Sequence, residues 1–289
     1  MNEEPFEICV DSEERIRDFD TLVLSGGGIH GIMYLGALQA ADDKFLLGGV
    51  NKYIGTSIGS IICYLLAIGY NANEIMTYFC SNRVTENLDT FNIMNFMECS
   101  GGISFHPIQE HLEKMTMSKI SDFLTLKDLK DKFGKTLICS TYNITDAKVV
   151  YLGPDTHPRL PCLTAIKMSS SIPLIFKNCM YRDCLYVDGF ISNNFPIDIG
   201  DKIGKKVLGI ATALDNKIEG SNIRILEMIM KLMRVPVEQA TKYRIQNSSD
   251  KCTVVMLTSD ISNLTFNVST KDKFKMYDEG YNAIVKRFS

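Results

Sequence analysis

The chain has 289 residues, of which 45% are hydrophobic and 22% charged, an ordinary globular composition with ample length for a buried core. Its 31 Lys+Arg against 34 Asp+Glu give a formal net charge of -3, which lacks the basic excess of a nucleic-acid-binding protein. Apolar residues spread along the sequence exclude disorder for most of it.

Residues 1–18 read as a poorly ordered acidic lead-in carrying Glu3, Glu4, Glu7, Asp11, Glu13 and Glu14, charges that do not fit a signal peptide. The nine cysteines are odd in number and form no C-x-x-C, so free thiols of a reducing cytosol are expected. Thr21–Leu24 is a short apolar strand. It ends in Ser25-Gly26-Gly27-Gly28 and enters a helix over Ile29–Ala41. Consecutive glycines let a backbone approach a ligand closely, and N–H groups at a helix N-terminus point at an anion. The same stretch fits the dinucleotide fingerprint G-x-G-x-x-G. That fold wants an acidic residue ~20 positions further on, and no Asp or Glu lies between Asp43 and Glu74.

Tyr53–Ile54 is a second short strand, followed by an apolar helix over Ile58–Ile68. No charge occurs from Tyr53 to Asn73. Gly55, Thr56, Ser57, Gly59 and Ser60 occupy the first third, however, and leave too short an apolar run for a membrane span of ~20 residues. The strand-to-helix junction is Gly55-Thr56-Ser57-Ile58-Gly59, a G-x-S-x-G nucleophile elbow. Its glycines permit the tight turn, Ser57 sits at the tip, and the helix behind it favours negative charge developing nearby.

Residues 71–132 read as a helical cap inserted into the domain, with a soft apolar surface from Met76, Phe79, Met94, Phe96, Met97, Ile103 and Phe105 and an amphipathic helix over His106–Met117. Two strands, Thr136–Tyr142 and Lys148–Leu152, precede a helix over Leu163–Met168 that stops near Pro173. Leu185–Val187 is a strand leading into Asp188-Gly189. Val207–Ala213 and Cys252–Leu257 are further buried strands, and helices over Ile223–Gln246 and Lys271–Phe288 complete the chain. Strands alternating with helices imply one α/β domain over residues 19–289, a three-layer α/β/α sandwich around a mostly parallel sheet. Ile223–Val237 is apolar at most positions, with Arg224, Lys231 and Arg234 interspersed. It reads first as a sheet-covering core helix and second as a helix lying in a bilayer interface. The Met- and Phe-containing stretch Ile93–Phe105 is the other lipid-facing candidate.

Ser57 needs a base. The histidines are His30, His106, His111 and His157, and none lies in the last 132 residues, where the Ser, Asp/Glu, His order of α/β-hydrolases would place one. Asp188 offers another base, because burial at the end of an apolar strand can raise a carboxyl pKa and let it take a hydroxyl proton. The same Asp-Gly pair also fits a plain turn.

Taken together and in this order, the Ser25–Gly31 loop, the Gly55–Gly59 elbow and Asp188-Gly189 resemble the patatin-like phospholipase family. The resemblance extends to Ser169-Ser170-Ser171-Ile172-Pro173-Leu174-Ile175-Phe176 and to the Asp188–Pro196 stretch, so its motifs run from about Asp20 to Pro196. Two residues depart from the family's pattern. His30 stands where Arg or Lys is usual, which makes that charge conditional on pH. Phe190 stands where Gly or Ala is usual, which would narrow the site.

The resemblance implies a lipid acyl hydrolase that cleaves fatty acyl esters of phospholipids through an acyl-enzyme, with Ser57 as nucleophile and Asp188 as general base. Backbone N–H groups of Gly26, Gly27, Gly28 and Ile58 would hold the oxyanion, with His30, Gly31, Gly55, Gly59 and Gly189 shaping the motifs; no metal or cofactor is needed. The alternatives are a serine esterase or lipase for neutral lipids or thioesters, and a lipid-binding protein with a silent site. The expected setting is the cytoplasm with peripheral membrane contact and a lipid ester, not nucleic acid, as partner; an activating protein is left open. An aspartate base predicts activity lost in acid, whereas a rate controlled only near neutrality would point to a histidine.

Overall fold

A four-residue strand with every side chain buried must lie in the middle of a covered sheet, and β1 (Thr21–Leu24) is such a strand. The computed structural model describes residues 19–82, 103–213, 225–260 and 268–289. The acidic lead-in and the cap residues Met94, Phe96 and Met97 lie outside them. β1 pairs in parallel with β2 (Lys52–Thr56) on one side and, across a long crossover, with β7 (Val207–Thr212) on the other. β2 pairs in parallel with β3 (Thr136–Asn143), and β7 with β8 (Cys252–Leu257). Three further strands are antiparallel: β4 (Lys148–Leu152), β5 (Cys179–Tyr181) and β6 (Cys184–Asp188). The order is β5-β6-β3-β2-β1-β7-β8, with β4 also on β3.

Alternation along the strands sends side chains to opposite faces. Leu22 and Leu24 join the larger core with α1 (Gly31–Asp43), α2 (Ile58–Ala67) and the C-terminal α10 (Thr270–Arg287). Val23 and Ile54 join Phe195 and Ile197 on the other face, where α8 (Ile197–Ile203) and the end of α9 (Ile225–Gln246) cover the sheet. The expected α/β/α sandwich is thus present, parallel at its centre and antiparallel at one edge. The charge-free stretch after β2 forms the ten-residue buried helix α2, and among the described residues no helix is long and apolar enough to cross a membrane.

The cap region contributes α3 (Ala72–Ser81), α4 (His106–Ile120) and α5 (Leu126–Phe133). Reciprocal side-chain to backbone bonds start α3 at Asn71 with Glu74 and α5 at Thr125 with Asp128. After β4 come α6 (Cys162–Ser170) and, following β6, the one-turn α7 (Phe190–Asn193). The core-helix expectation for α9 describes only one of its faces. Met230, Arg234 and Val237 are buried, whereas Met228, Leu232 and Val235 are 45%, 62% and 53% exposed.

Candidate active site

Two consecutive rungs of β3 bring Ser57 and Asp188 together. Thr56, the last residue of β2, pairs with Ser140, and Asp188, the last residue of β6, pairs with the next residue, Thr141. β4 occupies one edge of β3 there. β6 therefore continues along the edge that β2 has just left, and the chain turning out of β2 at Ser57 meets the end of β6.

Ser57 has φ 55° and ψ −127°, a left-handed conformation that costs a non-glycine residue ~1–3 kcal/mol. The surroundings fix it. Ser57 donates its N–H to Ser169 Oγ at 3.1 Å, and Ser169 Oγ donates to the Ser140 carbonyl at 2.7 Å. Ser60 Oγ donates to the Ser57 carbonyl at 2.6 Å. Gly59 packs so tightly on the Leu24 and Ser25 carbonyls that any Cβ would strike them, and Gly189 packs likewise on the Ser140 carbonyl. These contacts explain the two glycines as close-approach positions.

Asp188 is 0% exposed. Its Oδ1 accepts the Phe190 N–H at 2.7 Å, and its own N–H donates to the Ser171 carbonyl at 2.9 Å. Burial raises its pKa from 3.8 to about 7; the facing Ser57 hydroxyl and the Phe190 N–H offset part of that rise. Oδ2 is buried and has no partner within strict hydrogen-bond geometry, although the Ser57 hydroxyl is near enough to act on the carboxyl. A carboxyl that titrates near neutrality changes one expectation. An activity limb near pH 7 does not by itself signal histidine, because Asp188 would place its limb there too.

The glycine loop is held by a buried network. Ser25 Oγ and Tyr34 Oη share a hydrogen bond of 2.6 Å, and Tyr34 Oη lies 3.3 Å from Thr212 Oγ1. Gly26, expected among the oxyanion donors, gives its N–H to the Asn194 carbonyl at 3.0 Å, while Asn194 Nδ2 donates to the Gly26 carbonyl at 3.2 Å. That clasp leaves Gly26 no N–H for the role. Gly28 (φ +55°) begins a short 3-10 turn, and Ile58 begins α2. N–H groups at such positions have no carbonyl one turn back to donate to. Gly27 immediately precedes the turn.

Ser57, Gly28, Gly31 and Ile58 open onto an apolar cleft. Its walls include Ile61 of α2, Met76 and Phe79 of α3, Leu112 and Met115 of α4, and Phe105 and Phe176. The latter two rings pack edge to face at 5.6 Å. Phe190 packs behind this wall with Phe105, Phe176 and Met230, so it does not narrow the cleft directly. His30 is likewise 1% exposed and is not part of the lining. Of the histidines only His111 lines the cleft. Its Nδ1 shares a hydrogen bond with the Tyr78 hydroxyl at 3.1 Å, and burial lowers its pKa. No motif marks His111 or Lys273, a further lining residue, because their roles arise from contacts distant in sequence; Asn194 lies in the Asp188–Pro196 stretch, but its clasp on Gly26 is not legible there. Among the described residues no group of three or more His, Cys, Asp or Glu is placed to hold a metal ion.

Comparisons with known proteins place the chain in a family. The family model described as patatin-like phospholipase matches residues 22–201. A probable lipid hydrolase of Invertebrate iridescent virus 6 is 39% identical over 191 residues, 65% of this chain and 65% of that protein. An intracellular phospholipase A2 of Caenorhabditis elegans is 27% identical over 191 residues, 62% of this chain and 16% of that protein. The chain thus spans less than two thirds of either relative's length. The crystal structure of VipD from Legionella pneumophila shares the fold, with a TM-score of 0.52 at 14% identity over 93% of this chain and 66% of that one.

Proposed function

Because this chain belongs to the patatin-like phospholipase family, we propose that it cleaves fatty acyl esters of phospholipids with Ser57 as nucleophile and Asp188 as general base. The observation that carries the reading is the buried Asp188 carboxyl, raised to about pKa 7, set against the strained Ser57 turn. A base is most effective when its pKa lies near the working pH. Asp188 takes the Ser57 hydroxyl proton as Oγ bonds to the ester carbonyl carbon. The N–H groups of Gly27, Gly28 and Ile58 hold the resulting oxyanion, each worth ~2.7–4 kcal/mol in a transition state of this kind. The carbonyl re-forms, the C–O bond to the alcohol breaks, and the alcohol leaves with the proton from Asp188. Water then gives a proton to Asp188 and attacks the acyl-enzyme, releasing the fatty acid and returning the proton to Ser57.

The cleft's apolar walls accommodate acyl chains, and the exposed Met228, Leu232 and Val235 on α9 support peripheral contact with a lipid surface. The decisive experiment incubates purified protein with mixed phospholipid vesicles and identifies products by mass spectrometry. Free fatty acid and lysolipid should form with the wild type and not with Ser57→Ala. Equal product from both proteins would refute Ser57 as the nucleophile. The walls suit neutral lipids too, and diacylglycerol assayed alongside separates that reading.

A further inference from the structure

The cleft that Ser57 opens onto is apolar apart from Ser57, Ser170, His111 and one charged side chain. Lys273 lines it, only 9% exposed. Among the described residues it is the one lining side chain with a fixed charge, and no carboxylate or other acceptor there meets its ammonium. Other lysines differ: Lys52 pairs with Asp20 at 2.7 Å and Lys119 with Glu74 at 3.0 Å. The adjacent acid, Asp272, is engaged elsewhere, accepting from Ser269 Oγ at 2.6 Å.

The position is built rather than incidental. Lys273 is the fourth residue of α10, and α10 lies on α1 backbone to backbone. A Cβ on Gly36 would strike the Tyr277 carbonyl, and one on Gly280 would strike the Met33 carbonyl. This close packing holds the first turn of α10 at the cleft beside Gly28, Ile29 and Ile32. The positive end of the helix dipole reinforces the charge there.

Resting on the lipid hydrolase reading above, we propose that Lys273 is the counter-charge for the phosphodiester of a phospholipid and sets a preference for phospholipids over neutral glycerides. An ammonium lining an otherwise apolar cleft and without a carboxylate partner gains a charge-assisted hydrogen bond from an arriving anion. A neutral glyceride fills the same walls but leaves the ammonium unpaired. A glycerophospholipid brings one negative phosphodiester close to its acyl esters, whatever alcohol caps it. The preference therefore follows the phosphate and not the headgroup.

The test uses the full chain carrying Ser57→Ala, so that binding is read without turnover. Affinities for monomeric dihexanoylphosphatidylcholine, dihexanoylglycerol and hexanoate are measured by calorimetry. The phospholipid should bind about ten- to a hundredfold tighter than the glyceride, the range of one charge-assisted hydrogen bond. Lys273→Met should erase that ratio, and Lys273→Arg should restore most of it. Equal affinity for the two lipids overturns the proposal before any Lys273 variant is made, so a variant that fails to fold does not decide the matter. An unchanged ratio in Lys273→Met, or tighter binding of hexanoate than of phospholipid, also overturns it. A phospholipid preference without hydrolysis by the Ser57 protein would sink the hydrolase reading and leave the phosphate site standing.

Discussion

Replacing Asp188 by Asn should stabilise the folded protein at pH 8. The carboxyl is fully buried and its pKa rises from 3.8 to about 7. The folded state therefore holds its proton more tightly than the unfolded chain does. That contribution is fully present below pH 3.8 and is lost as pH rises through 7. The shift of about three pH units at ~1.4 kcal/mol each gives about 4 kcal/mol that ionised Asp188 costs above neutrality. Asparagine has the same shape, keeps an oxygen for the Phe190 N–H and carries no charge. Urea denaturation of wild type and Asp188→Asn across pH 4–8 reads the difference directly. The two should be nearly equal at pH 4, diverge by ~1.4 kcal/mol per unit towards pH 7, and then run parallel. A wild type more stable than the mutant at pH 8, or a pH-independent gap, would refute the reasoning: the carboxylate would then be compensated by its surroundings.

If Asp188 is the base, as proposed, kcat/KM should fall about tenfold per unit below pH 7. That limb should persist in His111→Gln, and its disappearance in that variant would transfer the base role to the histidine. Gly59→Ala drives a methyl into the Leu24 and Ser25 carbonyls and should cost ~1–3 kcal/mol as overpacking, read as a lower urea midpoint. An unchanged midpoint would mean the elbow relaxes freely. Leu232→Gln with Val235→Asn changes two exposed side chains of α9 and should weaken sedimentation with phospholipid vesicles while leaving the melting temperature within a few degrees. Unaltered vesicle binding would exclude this face as the lipid contact.

The elements that could be read from the sequence are those whose local pattern already meets its tertiary requirement. β1, β7 and β8 are short apolar runs, and the two glycine-rich turns follow strands and precede helices. The segments that could not be read are short or depend on distant partners. β5 has three residues and α7 has four, too few for a period to show. The antiparallel edge exists because β3 outruns β2 and leaves an edge for β6. The Ile223–Val237 stretch is apolar at most positions, so its pattern cannot say which face finds a partner.

Within the site, residue types and spacing alone pointed to Ser57 at a strand-to-helix turn and to a glycine loop at a helix start, whereas Asp188 at a strand end fitted a plain turn as well and was singled out by the family resemblance. The first two were legible because backbone turns are local and demand particular residues. Only the tertiary structure decided that Asp188 faces Ser57, that its pKa lies near neutrality, that Asn194 occupies the N–H of Gly26, and that Lys273 is buried in the wall of the cleft. Each of these depends on burial and on contacts between distant segments, since desolvation and hydrogen-bond partnership belong to the folded surroundings and not to the residue.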